Sequence, residues 1–199
     1  MAIDATTQHV PDTPPIATRY RKRSGDTLTF GYPLLRLSVL VECGTRAILA
    51  AVFGPEADGE TTHARQLLDT LGAGMLVLAD AGYDCWELLR DIAATGAHYL
   101  CRSGARRTLL ILTELSDGSY LSVLGYGRLK VRIIEAWVTI TFADGTVTRE
   151  QWRLVTSLLA ERAGLPVPAQ SDNTGGAVSS YCPVGGDDVQ LLVPPGAGG

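Results

Sequence analysis

The alternation of apolar runs and breaker residues predicts an α/β arrangement in the first half of the chain. Residues 75–79 form a short, unbroken apolar run that follows Gly72 and Gly74, which is typical of a strand buried on both faces. The next segment, Trp86–Ala94, has apolar residues at helical spacing and predicts a helix. Asp80 therefore lies between a strand and a helix, at the sheet edge that binds ligands in open α/β folds.

Asp80 indicates a site only if a second carboxylate joins it, because an aspartate after a strand is often only a turn former or a helix cap. Asp4 is the candidate, since it ends a short apolar segment at the start of the chain. The competing interpretation of Asp4 is an unstructured terminus.

The neighbouring segments predict the rest of a mixed sheet. In chain order we expect a proline-broken loop, the two strands of a β-hairpin, a helix and a further strand: residues 8–15, 34–42, 47–53, 60–68 and His98–Arg102. The last strand should run parallel to residues 75–79, because a helix connects the two. His63 falls on the polar side of its predicted helix, so we expect it on the surface.

The period changes at Thr108, after which short strand-like pieces predict a β-rich segment. These pieces are Tyr120–Leu124 and residues 130–134, 137–142 and 146–148, with hairpin-type turns at Asp117-Gly118 and Asp144-Gly145. Residues 153–159 resemble a strand that returns to the main sheet. Residues 163–199 contain no Lys or Arg and are dense in Gly and Pro, so we expect them to be disordered.

Composition restricts the function only weakly. The 199 residues are 46% hydrophobic with a net charge of −4, which supports a real core but gives no overall attraction to DNA or to an anionic membrane. The four cysteines form no CxxC pair, and no membrane-spanning or signal segment is present, so we expect a cytoplasmic protein without structural zinc.

Local positive charge is the remaining signal for nucleic acid. One dense run, Arg19, Arg21, Lys22 and Arg23 around Tyr20, could grip phosphates or be a solvated loop. Arg102, Arg106 and Arg107 follow the strand beside Asp80 and could add charge near it.

Several short motifs, taken in order, resemble a known family. They are Ala2-Ile3-Asp4, Val10-Pro11-Asp12-Thr13-Pro14, Tyr32-Pro33, Leu35-Arg36-Leu37, Leu40-Val41-Glu42-Cys43-Gly44-Thr45, Gly59-Glu60-Thr61, Ala64-Arg65-Gln66-Leu67-Leu68, Leu78-Ala79-Asp80, Gly82-Tyr83 and Asp117-Gly118-Ser119-Tyr120-Leu121. Their order and spacing over residues 1–162 resemble bacterial insertion-sequence transposases of the DDE type, in the group named after insertion sequence four.

The resemblance implies an α/β fold with an RNase H-like mixed sheet, interrupted by a β-rich insertion. It also implies that Asp4 and Asp80 are the first two catalytic, metal-binding aspartates of a site for two Mg²⁺ ions, which a later glutamate completes. Such ions activate the attacking hydroxyl and stabilise the leaving oxygen in DNA cleavage and strand transfer. The implied partner is the DNA of insertion-sequence ends, with a second copy or a full-length transposase as a further candidate.

Three departures from the family pattern lead us to expect an inactive fragment, truncated at both ends. Ala81 replaces the usual basic residue, and the chain begins three residues before Asp4 without the usual DNA-end-binding region. No glutamate lies on a predicted helix after the returning strand; the nearest ones are Glu135, Glu150 and Glu161. The second metal site would then be incomplete, and a shifted reading frame is our hypothesis for the tail.

These observations predict four segments and three alternative functions. The segments are residues 1–107 and 152–162 of the RNase H-like core, the β-rich insertion 108–151 and the tail 163–199. Besides transposase descent, the alternatives are a non-catalytic remnant that binds DNA or protein, and a receiver-like module in which Asp80 accepts a phosphoryl group.

Overall fold

The computed structural model describes residues 1–24, 29–104, 107–142, 144–160, 178–181 and 188–192. The chain divides into two compact units, Met1–Cys101 and Arg102–Gly199, which are described separately. No helix in these described ranges is long and apolar enough to cross a bilayer.

The first unit contains strands and short helices in alternation. They are β1 (Ala2–His9), α1 (Pro14–Arg19), β2 (Arg23–Ser24), β3 (Thr29–Phe30), β4 (Leu34–Val41), β5 (Ile48–Pro55), α2 (Glu60–Arg65), β6 (Leu76–Ala79), α3 (Trp86–Ala94) and β7 (His98–Arg102). Short 3₁₀ turns cover Glu56–Asp58, Leu68–Thr70 and Ala81–Tyr83.

Five of these strands form a mixed sheet in the order β5-β4-β1-β6-β7. β4 pairs antiparallel with both β5 and β1, and β6 pairs parallel with both β1 and β7. The predicted hairpin, the helix at Trp86–Ala94 and the parallel direction of β7 are therefore confirmed.

The core of the first unit lies on one face of this sheet. Alternate residues of β4, from Leu34 to Leu40, are buried, as the period of two requires for a strand with one covered face. α3 contributes Leu88, Leu89 and Ile92, all fully buried, because its apolar residues recur at helical spacing.

The start of the chain is more ordered than its prolines suggest. β1 begins at Ala2 and reaches His9, and the terminal ammonium group donates a hydrogen bond to the Leu76 carbonyl at 2.8 Å. The expected loop at residues 8–15 is wrong at both ends, since α1 begins at Pro14. Proline is tolerated in the first helical turn, where its missing N–H needs no partner.

His63 is buried rather than on the surface, with only 1% of its area exposed. α2 packs on β4 and β5, and the His63 ring lies directly over Gly54 of β5. The prediction was wrong because α2 has only six residues, too few for its helical period to decide which side is covered. Tertiary packing decided it instead.

The second unit is built around one long strand, β10. Its strands are β8 (Thr113–Glu114), β9 (Tyr120–Leu124), β10 (Leu129–Thr141), β11 (Val147–Thr156), β12 (Val178–Tyr181) and β13 (Asp188–Leu192). β10 pairs antiparallel with β9, β11 and β13. The predicted pieces 130–134 and 137–142 merge into β10, and the pieces 146–148 and 153–159 merge largely into β11.

Two segments of the glycine- and proline-rich tail are strands, which differs from the expectation of disorder. β13 pairs with β10 from Asp188 to Leu192, and β12 pairs with β13. A run such as Val189 to Leu192 can add to a sheet whose exposed strand offers unpaired backbone groups. The remaining tail residues lie outside the described part of the chain.

The turn between β4 and β5 supports one prediction about acid behaviour. The Glu42 carboxylate accepts hydrogen bonds from the Thr45 hydroxyl at 2.6 Å and from the Thr45 and Gly44 amides at 2.5 and 2.9 Å. These bonds, the hydroxyl first, lower the pKa of Glu42 to about 2.

We expect a Thr45→Ala variant to raise the pKa of Glu42 towards the ordinary glutamate value, because the strongest of these bonds is lost. An NMR titration of the Glu42 carboxyl carbon measures this directly. The contribution of Glu42 to stability is present above the ordinary glutamate pKa and is lost as the pH falls towards 2. An unchanged pKa in the variant would show that the backbone amides suffice.

Candidate functional site

The parallel pairing of β1 with β6 brings Asp4 and Asp80 to neighbouring strands. Ala2 pairs with Leu78, and each aspartate follows its paired residue by two positions. Asp80 keeps an extended backbone, with φ −80° and ψ 172°, so it continues the direction of β6 beyond the paired residue. Adjacent strands lie about 4.8 Å apart, so we expect the two aspartates to lie near the same edge of the sheet.

Both carboxylates lie on the sheet face that is opposite the covered core. Ile3 and Val77, which alternate with the aspartates along their strands, are buried with 5% and 0% of their areas exposed. Asp4 and Asp80 are exposed, as the two-residue period requires. The interpretation of Asp4 as part of an unstructured terminus is therefore wrong.

Asp80 does not act as a helix cap. The 3₁₀ turn Ala81–Tyr83 follows it, but the Asp80 side chain makes no capping hydrogen bond there. Only its carbonyl is used, accepting from the Tyr83 amide at 2.9 Å and from the Cys101 thiol at 3.5 Å. The Asp4 carboxylate accepts one bond, from the Ala5 amide at 2.7 Å. Both side chains can therefore bind a ligand.

An ion pair between buried Arg36 and half-exposed Glu60 lies against the turn that follows Asp80. Arg36 of β4 has 9% of its area exposed, and its guanidinium contacts the Glu60 carboxylate at 2.6 Å. The same guanidinium donates to the Glu56 carbonyl at 3.3 Å. The other Glu60 oxygen lies 2.6 Å from where a Cβ on Gly82 would be, so Glu60 rests on the turn that follows Asp80.

Tyr83 completes the surroundings of the site. It has 3% of its area exposed, and its hydroxyl has no hydrogen-bond partner among the described residues. Burial raises the pKa of Tyr83; the negative charges of Glu60, Asp4 and Asp80 raise it further, and Arg36 opposes them. Tyr83 therefore stays protonated as a hydrogen-bond donor at neutral pH.

The donor set fits one hydrated divalent ion. Mg²⁺ commonly binds one or two protein carboxylates and keeps several waters, and Asp4 with Asp80 supplies such a pair. Within the described ranges, no group of three or more His, Cys, Asp or Glu side chains is arranged to hold a metal. These residues therefore provide oxygen ligands for one ion but no complete cage for two.

The predicted DNA-binding residues differ in how their charges are used. Lys22 forms an ion pair with Asp12, and the Arg19 guanidinium stacks over the Tyr20 ring at 5.7 Å from its centroid. Arg21 is exposed. The Arg23 side chain and the whole of Arg106 lie outside the described part of the chain.

In the second unit, Arg102 stacks over Trp152 at 4.2 Å and lies 3.5 Å from Glu150. The Arg107 carbonyl accepts a hydrogen bond from Arg153 at 3.1 Å. DNA contact by all of these residues stays a prediction.

The nearby glutamates are not on helices. Glu135 lies on β10 and contacts Arg153 at 3.1 Å, and Glu150 lies on β11, where it accepts a bond from the Trp152 indole at 3.0 Å. Glu161 lies outside the described residues.

Sequence reasoning did not assign roles to Arg36, Glu60 and Tyr83. A signal for Arg36 was present, because it alternates with Leu34, Ser38 and Leu40 and therefore had to lie on the covered face. A buried arginine requires a charged partner, but the sequence did not indicate that Glu60 would supply it.

The comparison with protein families identifies the class of protein to which the chain belongs. The family described as the transposase DDE domain matches residues 1–152, which is most of the chain, and the protein belongs to this family. The resemblance drawn from the motifs is therefore confirmed.

A particular relative is the transposase InsG for insertion sequence element IS4 of Escherichia coli strain K12, which is 29% identical over 98 residues. That alignment covers 49% of this chain and 22% of the relative's length.

Proposed function

We propose that the chain carries the first part of a DDE transposase metal site, in which Asp4 and Asp80 bind a divalent ion that acts on DNA. The observation that supports the proposal is the parallel pairing of Ala2 with Leu78, two residues before Asp4 and Asp80, together with the exposure of both aspartates. Membership of the transposase DDE domain family supports the reaction class, DNA strand cleavage and transfer in transposition. The similarity to a transposase of an insertion sequence element supports insertion-sequence ends as the substrate.

The chain's own residues have distinct roles in this proposal. Asp4 and Asp80 provide oxygen ligands, and the bound ion would activate a hydroxyl nucleophile and stabilise the leaving oxygen. Tyr83, in the turn that follows Asp80, is a protonated donor without a hydrogen-bond partner among the described residues. The mixed sheet order, with parallel β6 and β7 next to β1, supports an RNase H-like core that a β-rich segment follows.

We also propose that this chain alone does not transfer DNA strands. The described residues offer two carboxylates where a two-ion site needs further ligands. Robust Mg²⁺-dependent cleavage of an insertion-sequence end by the purified chain would contradict this part of the proposal.

Calorimetric titration with Mn²⁺ tests the metal site. We expect wild type to bind one ion and Asp80→Asn to bind at least about tenfold more weakly, because one of two charged ligands is lost. The matched control is Asp69→Asn, which removes an exposed aspartate of the same unit, on the 3₁₀ turn Leu68–Thr70.

Equal affinity for Asp80→Asn and wild type, in folded proteins, would reject the metal site. The phosphoacceptor alternative remains a hypothesis; a stable acyl-phosphate on Asp80 after treatment with a small phosphodonor would support it instead.

A further inference from the structure

We propose that the Arg36–Glu60 ion pair positions Asp80: Arg36 holds the Glu60 carboxylate against Gly82, and this contact sets the turn from which Asp80 is presented. The inference rests on the proposed function, because the metal-binding role of Asp80 is taken from it.

First, the position of Glu60 is fixed by its contact with Arg36 and by its place in α2. Arg36 projects from the covered face of β4, and its guanidinium is held at two points, by the Glu60 carboxylate at 2.6 Å and by the Glu56 carbonyl at 3.3 Å. Glu60 is also the first residue of α2, so its backbone moves only with that helix. A buried guanidinium in such contacts has little freedom to shift.

The second step is the contact between Glu60 and the turn. The second carboxylate oxygen of Glu60 lies 2.6 Å from a Cβ built on Gly82, which is closer than real Cβ atoms approach. A side chain at position 82 would therefore require either the Glu60 carboxylate or the turn to shift. α2 packs on the Ala81–Tyr83 turn at this point.

The third step connects the turn to Asp80. The turn starts at the residue after Asp80, and the Tyr83 amide closes it on the Asp80 carbonyl at 2.9 Å. A displacement of Gly82 must therefore reach Asp80 within two residues. Tyr83 anchors the far end of the turn in the core, where its buried hydroxyl has no hydrogen-bond partner among the described residues.

The decisive experiment combines two substitutions in the full chain and measures Mn²⁺ affinity by calorimetry. We expect Gly82→Ala to weaken binding about tenfold, because the new methyl group meets the Glu60 carboxylate and displaces the turn. This substitution leaves the charge of the site unchanged, so a weaker affinity reports geometry.

Shortening Glu60 should then restore the site. Glu60→Asp withdraws the carboxylate by one methylene, so we expect the Gly82→Ala/Glu60→Asp double variant to bind Mn²⁺ within about threefold of wild type. A purely structural defect at Gly82 would not be rescued by a second substitution at Glu60. A double variant that binds no better than Gly82→Ala would overturn the proposal.

Arg36→Lys is the second measurement, in case Gly82→Ala does not fold. Lysine keeps the charge but not the forked geometry, so we expect about threefold weaker binding; an unchanged affinity would contradict the positioning role. The control is Asp91→Asn, which breaks the ion pair between Arg65 of α2 and α3 at 3.2 Å without touching Gly82 and should leave affinity unchanged.

The Asp80→Asn variant distinguishes a failure of the proposed metal function from a failure of the proposed positioning role. If Asp80→Asn binds like wild type, the proposed metal function has failed. If Asp80→Asn binds weakly while Gly82→Ala binds normally, the metal function stands and the positioning role has failed.

Discussion

A chain with Asp4→Asn and Asp80→Asn together is expected to lose Mn²⁺ binding by at least about 100-fold, or about 2.8 kcal/mol. In the absence of metal, the same chain is expected to be slightly more stable than wild type. The two effects have opposite signs because the two carboxylates attract a cation and repel each other.

The opposite signs follow from the surroundings of the pair. Asp80 makes no capping bond, and Asp4 accepts only the neighbouring Ala5 amide, so neither charge is compensated by a salt bridge among the described residues. The repulsion between exposed charges is screened by water, which limits the gain in stability to about 1 kcal/mol or less. Replacing a carboxylate by the isosteric amide leaves the packing of β1 and β6 unchanged.

Thermal unfolding with and without Mn²⁺ measures both effects in one experiment. Wild type should melt at a higher temperature with Mn²⁺, since a ligand that binds only the folded state stabilises it, whereas the double variant should show no shift. The control with Asp69→Asn should behave like wild type. If Mn²⁺ still stabilises the double variant, the ion binds elsewhere, and the proposed metal site at Asp4 and Asp80 is contradicted.

Gly54→Ala is expected to destabilise the protein by about 2–3 kcal/mol. A Cβ at this position would lie 2.5 Å from His63 Nε2 and 3.0 Å from its Cε1. The ring cannot yield easily, because His63 is 1% exposed and lies between α2 and β5. The added methyl group must therefore push α2 away from the sheet.

Urea unfolding of three variants tests this packing. Gly72→Ala is the matched control, since nothing lies within 4 Å of its new Cβ, and it should change stability by less than about 0.5 kcal/mol. In a His63→Ala background the ring is absent, so Gly54→Ala should cost much less than in wild type. An equal cost in both backgrounds would show that the clash is not the cause.

The predictable part of the fold came from segments with strong periodicity. Trp86–Ala94 and His98–Arg102 were predicted at their observed bounds, because their patterns match one element type and glycine follows the helix. The proline-rich segment at residues 8–15 and the tail were less predictable. A helix can begin in the proline-rich segment because proline is tolerated at a helix start. The strands of the tail form because a neighbouring strand has free backbone groups.

The candidate site also has a part that the sequence predicts and a part that it does not. The order of the motifs identified the transposase family and predicted Asp4 and Asp80 as site residues, because the motifs are visible in the residue types themselves. The contacts of Arg36, Glu60 and Tyr83 were not visible in the sequence, since each depends on a neighbour distant in sequence.

The sequence by itself thus determined the family and the main strands and helix of the first unit, and it predicted the two aspartates as the site. Only the tertiary structure decided that β1 and β6 share a register, that His63 is buried on Gly54 and that Glu60 rests on Gly82. The physical reason is the sequence separation over which each kind of interaction acts. Periodicity and turn chemistry act within a few residues, whereas register, burial and ion pairing are fixed when segments about 10 to 80 residues apart pack together.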